Sequence, residues 1–162
     1  MIALKSILVA TDFSEAADAA LASGRALART FGATLHVLHV ADDVYVRLGG
    51  DAYVAVLPDL QREIEDAARK QLDGLLVDND PTPLPTKAVV VTATSAAQAI
   101  IEYAGQARMN LIVVGTHGRG GVAHLLMGSV TERVVRLAHC PVLTVRHPER
   151  DFVIPDLPVI RN

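Results

Sequence analysis

Short runs of aliphatic residues recur along this chain, each separated from the next by a longer stretch with helical periodicity. The runs do not alternate between apolar and polar residues, which is typical of parallel strands buried on both faces. Because parallel strands need long right-handed crossovers, the pattern predicts one open α/β sheet with helices on both faces. Five runs are predicted as strands: residues 7–10, 34–40, 88–91, 111–114 and 142–145.

The composition fits this architecture. Hydrophobic residues make up 51% of the 162 residues and aromatic residues only 4%, so the core must be built from Ala, Val, Leu and Ile. A chain of this length suggests one domain. We assign residues 1–146 to that domain and residues 147–162, which carry three prolines and no periodicity, to an irregular C-terminal tail.

Charge and targeting patterns exclude several classes of protein. The net charge is −3 and Lys and Arg form no stripe, which argues against nucleic-acid binding. No apolar stretch approaches the roughly 18 residues of a membrane span, and no signal-peptide pattern opens the chain. The single cysteine, Cys140, precludes an internal disulfide and is interpreted as an inert buried thiol. We therefore expect a cytoplasmic protein.

A glycine-rich segment after the fourth strand is the strongest functional signal. Two residues separate Gly115 from Gly118, and nine more separate Gly118 from Gly128, which Ser129 follows. Glycines let backbone N–H groups approach an anion, and a helix N-terminus favours phosphate. This predicts a phosphate site, with a purely loop-shaping role for the glycines as the alternative. The helix that follows is predicted over residues 129–138, with Val130, Val134 and Leu137 facing the sheet.

Two common nucleotide patterns are absent from the sequence. No Gly-x-Gly-x-x-Gly follows the first strand, which argues against a dinucleotide site, and no Gly-x-x-x-x-Gly-Lys-Ser/Thr motif occurs. In an open parallel sheet, ligands bind beyond the carboxyl ends of the strands. Asp12, which follows the first strand, is therefore a second candidate, although it could instead cap the next helix. His36 and His39 lie within the second strand and are interpreted as hydrogen-bonded core residues.

The motifs together resemble a known family. Residues 115–121 and 125–134 resemble the signature of the universal stress protein family, residues 7–14 resemble its opening strand and turn, and residues 140–146 its final strand. The resemblance covers residues 3–146, and the glycine spacing matches the ATP-binding branch. It implies a Rossmann-like, adenine nucleotide alpha hydrolase-like fold with a five-stranded parallel sheet in the order 3-2-1-4-5.

The resemblance also implies roles for individual residues. Asp12 would lie near the ribose or a phosphate-bound metal, and Val40 would contact adenine, for example through its backbone. Arg119 either neutralises phosphate charge or is a solvated loop side chain. The full cofactor-binding set is Thr11, Asp12, Val40, Gly115, Thr116, Gly118, Arg119, Gly128, Ser129, Val130 and Thr131.

These features predict an ATP-binding regulatory or stress-response module, with Mg²⁺ or Mn²⁺ carried on the phosphates and a protein partner still to be identified. A slow ATPase or phosphotransferase using the same site is the alternative, which the lack of a P-loop lysine and of an evident base argues against. A third hypothesis is a ligand-free interaction protein with a vestigial glycine loop.

The last predicted strand lies at the edge of the sheet. Val142–Val145 offers an unpaired backbone to another chain, and two such edges would form a C2 homodimer, as is common in the resembled family. The alternative is that the chain's own tail covers this edge.

Overall fold

The computed structural model describes residues 3–47, 57–77, 83–116 and 127–147. Its five strands form one parallel sheet in the order β3-β2-β1-β4-β5, which confirms the predicted fold. Each strand contains the run predicted for it. The strands are β1 Ser6–Thr11, β2 Thr34–Asp42, β3 Thr86–Ala93, β4 Leu111–Gly115 and β5 Val142–Val145.

Helices cover both faces of the sheet. One buried cluster joins α1 and α3 to one face, and a second joins α4 and α5 to the other. The short helix α2 was not predicted from the sequence. The helices are α1 Glu15–Phe31, α2 Val44–Arg47, α3 Leu57–Leu75, α4 Ala96–Gln106 and α5 Ser129–Leu137. No helix among the described residues is long and apolar enough to cross a membrane.

Two of these helices have a serine as their N-cap residue. The Ser14 hydroxyl accepts a hydrogen bond from the Ala17 N–H at 3.3 Å, and the Ser95 hydroxyl accepts one from the Gln98 N–H at 3.3 Å. At its other end, α1 stops at Gly32, whose φ of 62° is the left-handed conformation that glycine adopts readily. These caps therefore fix the first residues of α1 and α4. They also fix the lengths of the turns that connect β1 to α1 and β3 to α4.

The face that α5 buries differs from the prediction. Val134 is fully buried as predicted, but Val130 and Leu137 are 40% and 48% exposed. Thr131 is buried in their place, with only 6% of its surface exposed. Its hydroxyl donates a 2.7 Å hydrogen bond to the Gly115 carbonyl, which makes burial of this polar residue acceptable.

Candidate functional site

The strands β1 and β4 are neighbours at the point where the order of the sheet reverses. The connections from β1 to β2 and from β2 to β3 lead toward the β3 edge of the sheet. The connection from β4 to β5 leads toward the opposite edge. The register pairs Val9 with Val113, so β1 and β4 end at the same level. Ligands of open α/β sheets bind in the cleft outside such a switch point. The segments that follow Thr11 and Gly115 therefore border one cleft.

The turn after β1 is tightly hydrogen-bonded. The Asp12 Oδ1 atom accepts hydrogen bonds from the Ser14 N–H at 3.1 Å and from the Ser14 hydroxyl at 2.6 Å. The Phe13 N–H donates to Thr11 Oγ1 at 3.0 Å. Asp12 thus supports the start of α1, as its alternative interpretation predicted. A role toward a ligand stays a prediction for both Asp12 and Thr11.

The end of β4 lies against the first turn of α1. A Cβ atom at Gly115 would stand 2.7 Å from the Ala16 carbonyl oxygen, which is closer than real contacts allow. This glycine therefore has a packing role that the sequence did not indicate. Its neighbour Thr116 is buried, donates its N–H to the Val145 carbonyl at 2.8 Å and accepts the Gly128 N–H at 2.7 Å.

The N-terminus of α5 differs from those of α1 and α4. Its N-cap, Gly128, has φ −70° and ψ 152°, and no side chain among the described residues caps the helix. Ser129 and Val130, the first two residues of α5, are exposed, whereas the Thr131 hydroxyl is directed at the Gly115 carbonyl. The backbone donors of the first turn are the groups that would meet an anion here.

The remaining predicted residues lie in different places. Val40 follows His39, which pairs with Thr11, so Val40 is level with Asp12 along the sheet. Its half-buried side chain packs into the cluster on the α4 and α5 face. Gly118 and Arg119 lie outside the described residues.

A polar network at the ends of β2 and β3 was missed from the sequence. Gln61, which is buried, accepts the Val44 N–H at 3.0 Å and donates to Glu65 at 3.0 Å. The Thr92 hydroxyl donates to the same Glu65 oxygen at 2.6 Å. Hydrogen bonds from Thr92 and then Gln61 lower the pKa of Glu65. The one feature of the sequence that could have indicated this network is the i, i+4 spacing of two polar residues on α3, Gln61 and Glu65.

Both strand histidines are hydrogen-bonded, as predicted. His36 Nδ1 lies 2.8 Å from the Tyr103 hydroxyl, and burial, followed by the nearby Lys87 charge, lowers the pKa of His36. His39 Nδ1 lies 2.9 Å from the Thr11 carbonyl oxygen. Cys140 is half-buried rather than buried, and desolvation raises the pKa of its thiol, which favours the protonated form. Within the described ranges, no group of three or more His, Cys, Asp or Glu side chains could hold a metal ion.

Comparisons by sequence and by structure match this chain to the same protein family. The model of the universal stress protein family matches residues 3–146. A universal stress protein of Thermus aquaticus is 34% identical over 142 residues, covering 88% of this chain and 98% of the relative. The structure of universal stress protein UspA from Lactobacillus plantarum has a TM-score of 0.74 at 29% identity, covering 90% of this chain and 100% of that one.

A further solved structure, a universal stress protein in complex with cAMP, has a TM-score of 0.58 at 21% identity. The match covers 89% of this chain and 98% of that chain. At this identity the likeness demonstrates the shared fold, and the ligand is a property of that protein.

Proposed function

Since this chain belongs to the universal stress protein family, we propose that it binds ATP at the carboxyl ends of β1 and β4 and acts as a nucleotide-dependent module in a stress response. The observation that carries this proposal is the start of α5. Serine side chains cap α1 and α4, whereas α5 begins at a glycine and no described side chain caps it. A phosphate would supply the acceptor that those caps supply elsewhere.

The position of this helix start supports the same proposal. It follows β4 in the chain, and the Gly128 N–H bonds to Thr116 directly after that strand. The turn containing Asp12 follows the neighbouring strand β1, and its helix packs on Gly115. We infer that phosphates lie on the α5 side of the cleft, with the ribose near Asp12 and adenine beside the backbone of Val40.

A divalent cation would be held mainly by the nucleotide. Mg²⁺ is commonly bound by one or two carboxylates together with substrate phosphates and water. Asp12 is the carboxylate predicted to face this cleft, and its Oδ1 atom already accepts two hydrogen bonds from Ser14. We therefore propose that Mg²⁺ or Mn²⁺ arrives with ATP and that Asp12 contributes at most one ligand to it.

The test is a substitution that places a carboxylate of the protein where we propose that the phosphate binds. In Gly128→Asp the new carboxylate caps α5, and the φ of −70° suits any L-residue. We expect the affinity for Mg-ATP, measured by isothermal titration calorimetry, to fall about tenfold or more, while folding stability is unchanged or slightly raised. Loss of affinity without loss of stability separates competition at the helix start from unfolding.

Gly128→Ala is the matched control, because it adds a Cβ atom but no acceptor. It should bind Mg-ATP more tightly than Gly128→Asp does. Equal affinities in the wild type and both variants would place the phosphates elsewhere. Absence of binding heat from the wild type, confirmed by equilibrium dialysis, would refute the proposed function itself.

We further propose a cytoplasmic homodimer that forms through the edge of β5. Four consecutive residues, Val142–Val145, make up this strand, and it pairs with β4 on its inner side. The helix α5 contacts β5, and its exposed apolar side chains, among them Leu137, would extend such an interface. In this arrangement ATP binding beside β4 would bias the dimer or the binding of a protein partner.

A further inference from the structure

The turn between β1 and α1 contains a backbone conformation that needs support. Phe13 has a φ of 63°, in the left-handed region that aromatic residues rarely enter. Such a residue is energetically unfavourable and persists where its surroundings fix it, often at a functional site. Phe13 is preceded directly by Asp12, the carboxylate that the proposed function places in the cleft.

His39 contacts this turn in two ways. Its Nδ1 atom lies 2.9 Å from the Thr11 carbonyl oxygen, and because a carbonyl can only accept, Nδ1 must carry the proton. Its ring also packs on the ring of Phe13, with the centroids 4.4 Å apart and the planes at 33°. One side chain of β2 therefore holds both residues that flank Asp12.

We propose that His39 is a positioning residue for the nucleotide site: it fixes the turn from Thr11 to Phe13 and thereby the direction in which Asp12 is presented. This inference rests on the proposed function, since it assumes that Asp12 meets the nucleotide. His39 acts through Thr11 and Phe13 and need not touch the ligand. The same contacts offset the cost of the left-handed residue.

A second histidine of β2, His36, has a structural role that does not involve the turn after β1. It is also half-buried and hydrogen-bonded through Nδ1, but its partner is the Tyr103 hydroxyl of α4. It pairs with Leu8 in the middle of β1, on the face opposite to α1. His36 is therefore a matched control for a histidine of β2 that does not reach the turn.

The experiment compares variants that separate the donor from the ring. In His39→Asn the side-chain N–H can occupy the position of Nδ1–H, whereas His39→Leu keeps the bulk and removes the donor. We expect His39→Leu to weaken Mg-ATP binding about fivefold, the change that loss of one hydrogen bond corresponds to. His39→Asn should recover most of that affinity, and His36→Leu should bind as the wild type does.

A measurement without nucleotide tests the contact independently. The ¹⁵N shifts of the His39 imidazole should identify Nδ1 as the protonated nitrogen. Amide exchange at Phe13 and Ser14 should be faster in His39→Leu than in the wild type, and unchanged in His36→Leu.

The outcomes separate the two proposals. If the wild type binds ATP and His39→Leu binds it equally well, the role of His39 is refuted. If His39→Asn is as weak as His39→Leu, the part of that role assigned to the hydrogen bond with Thr11 is refuted. If the wild type binds no ATP, the proposed function fails. Amide exchange then still decides whether His39 fixes the turn: unchanged exchange in His39→Leu refutes it, and faster exchange supports it.

Discussion

Gly115 ends β4 where the first turn of α1 comes closest to the sheet. From the sequence it was interpreted as a residue that lets the backbone approach an anion. The structure adds that an added Cβ atom would lie 2.7 Å from the Ala16 carbonyl oxygen and 3.0 Å from Ala16 Cβ. Two constraints therefore act on one residue, one from packing and one, as a prediction, from the ligand.

The packing constraint predicts a loss of stability in Gly115→Ala. Backbone atoms of α1 must shift to admit the methyl group, so the free energy of unfolding should fall by about 1–3 kcal/mol in chemical denaturation. Gly74→Ala in α3 is the control: no atom lies within 4 Å of the added Cβ, and helix propensity should raise stability by about 0.5–1 kcal/mol. Equal stability of Gly115→Ala and the wild type would contradict the close approach.

At the scale of single residues, the sequence indicated which residue types matter but not which partners they contact. Asp12 and Ser14 are typical of the start of a helix, and that local chemistry was readable. The contact of His39 with Thr11 depends on the register between β1 and β2, which pairs residues 28 positions apart. No local pattern encodes such a distance, so His39 was predicted only as a hydrogen-bonded core residue.

The network around Gln61 ties three elements together at the ends of β2 and β3. Gln61 and Glu65 belong to α3, Thr92 to β3, and the Val44 N–H to α2. Because these hydrogen bonds favour the ionised carboxylate, the pKa of Glu65 lies below its ordinary value of 4.5. A lowered folded-state pKa stabilises the protein above the ordinary value, and this stabilisation is lost as pH falls through the lowered pKa.

The lowered pKa of Glu65 predicts a pH-dependent loss of stability in Thr92→Val, which removes the hydrogen-bond donor and keeps a β-branched side chain. At pH 7 the variant should be less stable than the wild type by about 1 kcal/mol in thermal or urea unfolding. The difference should begin to shrink as the pH falls below 4.5, the ordinary value at which the carboxylate of the unfolded chain takes up a proton, and should be lost as the pH falls through the lowered pKa of the folded state. A difference that stays constant from pH 7 down to pH 3 would show that Glu65 is not the source.

Elements were predicted unevenly for physical reasons. The runs rich in aliphatic residues identified each of the five described strands because burial on both faces leaves few polar positions, and the two histidines of β2 are hydrogen-bonded. The helix α2 is four residues long, too short for a periodic pattern. The inward face of α5 was predicted from apolar residues, and it was wrong at Val130 and Leu137 because Thr131 can be buried once its hydroxyl has a carbonyl partner.

At the scale of the whole molecule, the proposed dimer depends on which backbone groups of β5 point away from β4. The carbonyls of Pro141 and Val145 accept hydrogen bonds from Ile112 and Thr116. Since backbone groups alternate in direction along a strand, those of Val142 and Thr144 point to the outer edge.

Thr144→Pro therefore removes an outward donor without removing a bond to β4. We expect a dimeric wild type and a monomeric Thr144→Pro in size-exclusion chromatography with light scattering, while Thr144→Val remains dimeric. A monomeric wild type, or a dimeric Thr144→Pro with native circular dichroism, would refute pairing through this edge.

The order of the strands was predicted from the family resemblance rather than from the strands themselves. Each aliphatic run specifies a buried parallel strand, but no run specifies its neighbour, because the side chains of all five are nearly interchangeable. The order of the strands was instead predicted from the glycine-rich signature after β4, because the family that this signature resembles has the order 3-2-1-4-5. The same signature is the basis for the glycine-rich part of the candidate site, which stays a prediction, whereas no pattern in the sequence predicted the network around Gln61.

The hydrogen bond between the Gly128 N–H and the Thr116 carbonyl has a consequence for how this molecule can change over evolution. It joins the two ends of the segment formed by residues 117–127, so the sheet and α5 hold those ends at a fixed separation. Doubling the length of a closed segment costs only about 0.6 kcal/mol. The scaffold therefore tolerates a change in the number of residues between these two ends at little cost in stability, whereas the ligand roles predicted for Gly118 and Arg119 restrict replacement of those two residues.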